Sequence, residues 1–353
     1  MKAGKKMLFS VGYQLLLEDD FINAILRNKE RIYEVYFSFG DTPNGRHATT
    51  TTQGFLPHEA TAKQLYDLRR LSEAGISLNL LYNGNCYGDT ALSRAFYQSV
   101  GDTVDFLKTH YTLRSVTTTS PLIARFLKAN FEHIKTRASI NMEIGTRQGM
   151  DYLADVFDGY YMKREHNRSF AVIRDLYAWT KENGKELFAL ANSGCLNHCS
   201  SHIFHDNLVA HERSLSMHDN AYSYRGTCWD YLSQREKQVS LIRDTNYIRP
   251  EDIHHYEGYF TAMKLATRVN ENPIRVLESY LRGKHYGSPL ELCEPCHSSV
   301  MAPYYLDNTR IPDDFALRVG NCNKQCENCH YCESVYQKSI INMEEFHAYQ
   351  SND

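Results

Sequence analysis

The stretch Ala60-Thr-Ala-Lys-Gln-Leu-Tyr-Asp-Leu-Arg-Arg-Leu-Ser-Glu-Ala74, then Gly75, then Ile76-Ser-Leu-Asn-Leu-Leu81, decides the fold class. Leu65, Leu68 and Leu71 recur at helical spacing, and the run from Ile76 has the length and apolar density of a buried strand. The same alternation extends in both directions. Short apolar runs fall at Met7–Val11, Tyr33–Phe37, Leu113–Thr117, Ser139–Met142, Gly159–Met162, Leu187–Ala191 and Tyr247–Ile248. Helical periods cover Phe21–Asn28, Ala91–Thr109, Leu122–Phe131 and Phe170–Glu182. Alternating strand and helix specifies an α/β fold with parallel strands. Eight strands over about 250 residues suit a closed TIM-like (β/α)₈ barrel better than an open doubly wound sheet. No G-x-G-x-x-G follows the first strand to support a dinucleotide fold.

A barrel assigns its active face to the residues that follow each strand. Those are Asn83 and Asn85 after the third, Glu143 after the fifth, Lys163, Arg164 and Glu165 after the sixth, Asn192 and Ser193 after the seventh, and Arg249 at the eighth. Lys163, Arg164 and Arg249 are the expected holders of an anionic substrate group. The barrel is expected over residues 1–272, followed by a cysteine-rich extension over 273–353. That extension is punctuated by glycine and proline and looks too poor in apolar residues to build its own core.

A net charge of -3, with 42% hydrophobic and 23% charged residues, places the chain in the ordinary globular class and argues against a broad nucleic-acid surface. Neither an apolar signal core nor a window near the roughly 20 apolar residues of a membrane span is present, so a cytoplasmic protein is expected. A reducing compartment matters because ten cysteines are present, nine of them from Cys195 onward. Closely spaced thiolates there bind soft metals more often than they form disulfides.

The first group follows the seventh strand in Asn192-Ser-Gly-Cys195-Leu-Asn-His-Cys199, with Cys228 downstream in Gly226-Thr-Cys. Thiolates leaving the C-terminal end of a barrel strand hold zinc or an iron–sulfur cluster. This loop, together with Tyr247-Ile-Arg-Pro-Glu-Asp-Ile-His-His-Tyr256-Glu-Gly-x₅-Lys264-Leu-Ala-x-Arg268, resembles the U32 family of collagenase-like peptidases over roughly Met7 to Arg268. The resemblance implies a barrel fold. It also implies a [4Fe–4S] cluster in several members, activity in oxygen-independent hydroxylation of ubiquinone precursors or RNA bases, and peptidase activity in some. Residue by residue it places Cys195, Cys199 and Cys228 in ligand positions. The chain departs from the family in the shortened spacing of its first two cysteines and in Leu232, where some members carry a cysteine. The fourth ligand is left among Cys86, Cys293, Cys296 and an open iron site.

The second group, Cys322-Asn-Lys-Gln-Cys326-Glu-Asn-Cys329-His-Tyr-Cys332, has the density of a ferredoxin loop. Its C-x₃-C-x₂-C spacing is shared with radical S-adenosylmethionine enzymes, but there the triplet follows the first strand. Zinc is the alternative, because Cys293-x₂-Cys296 and Cys326-x₂-Cys329 could form a Cys₄ ribbon.

His198, His202, His205 and His211 surround the first loop with Asp206 and Glu212. In a helix from Asn197 to His211 the first three would share a face, and His202 and His205 are the candidate acid–base groups. H-E-x-x-H, G-x-S-x-G and P-loop motifs are absent. The reading is therefore an iron–sulfur enzyme performing a redox modification, with one or two [4Fe–4S] clusters. Its alternatives are a zinc-bearing scaffold without catalysis and a U32-type peptidase. A small molecule, a peptide or an RNA base would be the substrate, and an electron-donor protein and a homologous U32-like chain would be partners.

Overall fold

The computed structural model describes residues 6–40, 43–45 and 54–345. Eight parallel strands close into a barrel in sequence order: β1 (Phe9–Gly12), β2 (Ile32–Phe37), β3 (Ser77–Tyr82), β4 (Leu113–Thr118), β5 (Lys135–Ala138), β6 (Gly159–Tyr161), β7 (Glu186–Leu190) and β8 (Ala262–Leu265). Pairing of β1 with β8, Ser10 opposite Lys264, closes the ring.

Helices α1 (Asp20–Arg27), α2 (Pro57–Glu73), α3 (Arg94–His110), α4 (Pro121–Asn130), α5 (Arg147–Asp151) and α6 (Phe170–Glu182) fill the first six crossovers. Their starts are written in the sequence. Ser93 and Ser120 side chains accept hydrogen bonds from Phe96 and Ile123 amides, and proline opens α2 and α4. The β7–β8 connection is instead a long insertion holding α7 (His202–Ala210), α8 (Glu212–Leu215), α9 (Thr227–Leu232) and α10 (Ser240–Arg243). After β8, α11 (Pro273–Arg282) packs against α1, so the helical ring runs past residue 272.

Two strands differ from the sequence reading. The fifth is Lys135–Ala138, and the expected Ser139–Met142 forms a turn capped by Ser139. Its inward Arg137 is buried against Glu34, so the strand is polar and a search for apolar runs passes over it. The eighth is Ala262–Leu265, not Tyr247–Ile248. Ile248 does approach β7, donating its N–H to Ala191 O at 2.7 Å, but the chain then turns into a 3₁₀ segment, Pro250–Tyr256.

Apolar side chains fill the space between barrel and helices, while the barrel interior carries a polar layer. Glu34 bonds Arg137, and Ser10 and Asn79 donate to it at 3.0 and 2.8 Å. Burial pushes the Glu34 carboxyl up, but Arg137 and these donors outweigh it and hold the pKa below the ordinary value.

The extension does build a core, contrary to expectation, by sharing it with the insertion. Leu232, Leu241, Ile242 and Tyr247 pack with Leu290, Met301, Leu306, Phe315, Val335 and Tyr336. Helices α12 (Phe315–Gly320) and α13 (Tyr331–Ser339) and an antiparallel pair, β9 (Tyr304–Leu306) with β10 (Ile340–Asn342), belong to this unit. Among the described residues no helix is long and apolar enough to cross a membrane.

Candidate active site at the barrel mouth

Three segments meet at the C-terminal end of β7. Asn192 accepts the Ala266 N–H at 2.7 Å and donates to the carbonyls of Ala266 and Leu292, tying β7, β8 and the extension together. Gly194 then donates to Glu294 O at 3.0 Å, so the extension runs beside the cysteine loop as an added wall. Only glycine fits there: a Cβ on Gly194 would lie 2.1 Å from Pro295 O. We expect Gly194→Ala to push Cys195 and Glu294 apart, costing about 1–3 kcal/mol of stability. Thermal unfolding, with thiol labelling of Cys195, measures both effects.

A cavity of about 70 Å³ opens at this mouth, lined by Tyr36, Asn83, Asn141, Arg164, Ser193, Asp206, Lys264, Arg268 and Glu294, among others. Lys264 comes from β8 and is 7% exposed, with Nζ 4.1 Å from the Tyr36 ring centre and 5.2 Å from that of Tyr161. Burial, then the charges of Arg268 and Arg164, push its pKa down to about 7 against the pull of Glu34 and Glu294. Arg268 is held by Ser38 Oγ at 3.1 Å and Asn44 Oδ1 at 2.9 Å. Arg164 donates to Asn141 Oδ1 at 3.2 Å and to Cys195 Sγ at 3.5 Å. Ser193 Oγ, Asn85 Oδ1 and Asn197 Oδ1 are buried and have no hydrogen-bond partner among the described residues.

The expected residues divide. Arg164 lines the cavity. Lys163 sits on the rim, paired to Glu143 at 3.3 Å and Glu165 at 3.1 Å. Arg249 is a correction: it is buried away from the mouth, bidentate to Asp252 at 2.7 and 2.8 Å and bonded to the carbonyls of Ile311 and Pro312. It anchors the extension, and the misplaced eighth strand is why it looked like a mouth residue. His202 faces the site, with Nε2 3.2 Å from Asp206 and Nδ1 3.8 Å from Glu143. His205 packs instead on Tyr224 beside Gly226. His198 precedes α7 with φ 57° and is 87% exposed, so the expected three-histidine face does not form.

Cys195 and Cys199 line a small cleft with Glu143, Arg164, Glu165 and His202. Burial and the neighbouring Cys195 and Cys199 push the Cys228 thiol up to about 11. His297, absent from the sequence reading, is 1% exposed with Nε2 3.4 Å from Cys228 Sγ, and burial lowers its pKa to about 4. Of the proposed fourth ligands, Cys293 is buried with its thiol donating to Pro289 O at 3.2 Å, and the charge of Cys195 reaches it. Cys296 is exposed beside Ser298, and Cys86 accepts the Gly88 N–H.

In the extension Cys322, Cys326, Cys329 and Cys332 line one cavity of about 400 Å³ with Arg243 and Lys324 on its edge. Burial raises the Cys332 pKa, and the other three thiols raise it further. Among the described residues, no group of three or more His, Cys, Asp or Glu side chains closes into a metal-holding arrangement. Donor chemistry is what fits a soft metal or cluster at both places: three thiols that feel one another beside a buried imidazole, and four thiols around one cavity.

No family model matches the chain. It is 25% identical over 318 residues to an "Uncharacterized protease MJ1657" of Methanocaldococcus jannaschii, covering 88% of this chain and 90% of that one. The solved structure of the U32 peptidase Mk0906 matches with a TM-score of 0.50 at 15% identity, over 75% of this chain and 94% of that one, a likeness of fold. Over most of its length the chain is thus similar to a protein named as a protease, and it shares its barrel fold with a U32 peptidase.

Proposed function

We propose that the chain is an iron–sulfur enzyme that makes a redox modification, such as an oxygen-independent hydroxylation, of a small anionic substrate at the barrel mouth. The observation that carries this reading is Arg164, which lines the cavity while its Nη1 lies 3.5 Å from Cys195 Sγ. One side chain thus joins a substrate-sized space to the thiol group. Cys195, Cys199 and Cys228 would hold the cluster, which when bound supplies one-electron chemistry. Arg164 and Arg268 would take the substrate anion, with Arg268 fixed in place by Ser38 and Asn44. The His202–Asp206 pair would hold or move a proton at Nε2. The four thiols at Cys322, Cys326, Cys329 and Cys332 would hold a second cluster, with zinc the competing occupant.

The names of the relatives support a second reading, a U32-type peptidase. Metal analysis with paramagnetic resonance of protein purified without oxygen tests the first. About eight irons with matching sulfide, falling to about four in Cys195→Ala, are the expected result. Zinc without iron would overturn it in favour of a scaffold, and cleavage of peptides by iron-free protein would favour the peptidase.

A further inference from the structure

Lys264 is a buried amine that the proposed redox chemistry does not use. It is 7% exposed, lies at the C-terminal end of β8 and lines the mouth cavity. Among the described residues its Nζ has aromatic faces for neighbours and no hydrogen bond or ion pair. Such a group is costly to keep unless it serves something, because a buried lysine gives up hydration that neither ring fully replaces.

The surroundings say what it would serve. Arg164 and Arg268 supply two fixed guanidinium groups in the same cavity, a geometry suited to a carboxylate. Their charges, with burial, keep the amine ready to lose its proton near neutrality, which makes it a nucleophile toward a carbonyl carbon. A cavity of about 70 Å³ admits only a few heavy atoms beside these groups. Glu294 lines the same space and feels the Lys264 charge, so a carboxyl group is near to give and take protons.

We infer that Lys264 forms an imine with the carbonyl of a small oxo acid whose carboxylate is held by Arg164 and Arg268. The neutral amine attacks the carbonyl carbon to give a carbinolamine. The oxygen then leaves as water with both amine hydrogens, and C=O is replaced by C=N with no change in oxidation state. This rests on the reading of the mouth cavity as the substrate site and names the class of molecule bound there.

Reductive trapping tests it. The full-length protein is incubated at pH 7.5 with pyruvate and cyanoborohydride, digested, and mapped by mass spectrometry. A carboxyethyl adduct on Lys264, at least about tenfold above that on exposed lysines and absent when Arg164→Met removes one carboxylate holder, is the expected result. Labelling of Lys264 no greater than that of surface lysines overturns the inference. Adduct formation that is unchanged in Arg164→Met overturns the part concerning the carboxylate. The same trapping in Cys195→Ala separates this from the iron–sulfur reading: loss of iron with retained labelling leaves the imine standing alone, and iron with no labelling leaves the cluster without it.

Discussion

Arg137→Met is expected to cost about 3–5 kcal/mol of unfolding free energy, because it strands the Glu34 carboxylate inside the barrel. Both side chains are almost fully buried, 3% and 1% exposed, and the arginine stacks 4.5 Å over the Phe188 ring. Methionine preserves much of the volume, so the loss comes from the uncompensated charge. In the native protein Glu34 is held below its ordinary pKa, an effect that stabilises the fold above the unfolded value and is lost as pH falls. In the variant, desolvation dominates and the sign reverses: the buried carboxyl takes up a proton more readily than in the unfolded chain, so stability improves on acidification. Urea unfolding should therefore show a smaller deficit at pH 5 than at pH 7. Adding Glu34→Gln should recover at least half of the loss. An equal deficit at both pH values would contradict the account.

Lys264→Met is expected to do the opposite and stabilise the protein. The amine titrates at about 7 in the fold and at 10.5 in the reference state. Between these values the unfolded chain binds a proton that the native one does not, so native stability rises with pH across the window. Below pH 7 both states are protonated and the full cost of burying the cation is present. Removing it should gain a few kcal/mol at pH 6, shrinking as pH rises towards 10.5. The gain should accompany loss of function, as expected of a residue kept for chemistry. A variant less stable than the parent at pH 6 would mean that the contacts with Tyr36 and Tyr161 outweigh the desolvation cost.

Alternation of apolar runs and helical periods made β1 to β4, β6 and β7 legible, because those strands are filled by Val, Leu, Phe and Tyr on buried faces. It failed where the barrel is polar inside, at Arg137, and where the β7–β8 insertion intervenes before Ala262. Cysteine spacing pointed to thiols that the fold does bring together, Cys195 and Cys199 in one cleft and Cys322, Cys326, Cys329 and Cys332 around one cavity, because residues close in sequence stay close in space. Lys264 and Arg268 stood in the U32-like string without a role, and only the folded structure shows Lys264 buried beside Tyr36 at the mouth cavity. Glu294 and His297 carried no local signal. Each reaches the mouth through a tertiary contact with the segment around Gly194 and Cys228.

The hydrogen bonds joining Asn192 and Gly194 to Leu292 and Glu294 have a consequence in time as well as space. In chain order the last barrel strand, β8, precedes the residues that complete this side of the mouth, so synthesis finishes the strands first. A chain cut after Arg282 would hold all eight strands, yet its Asn192 amide would lose Leu292 O, one of its two acceptors, and its cavity would lack Glu294. The mouth cavity is thereby finished only when the polypeptide beyond β8 has been made, and no half-made barrel carries its full lining.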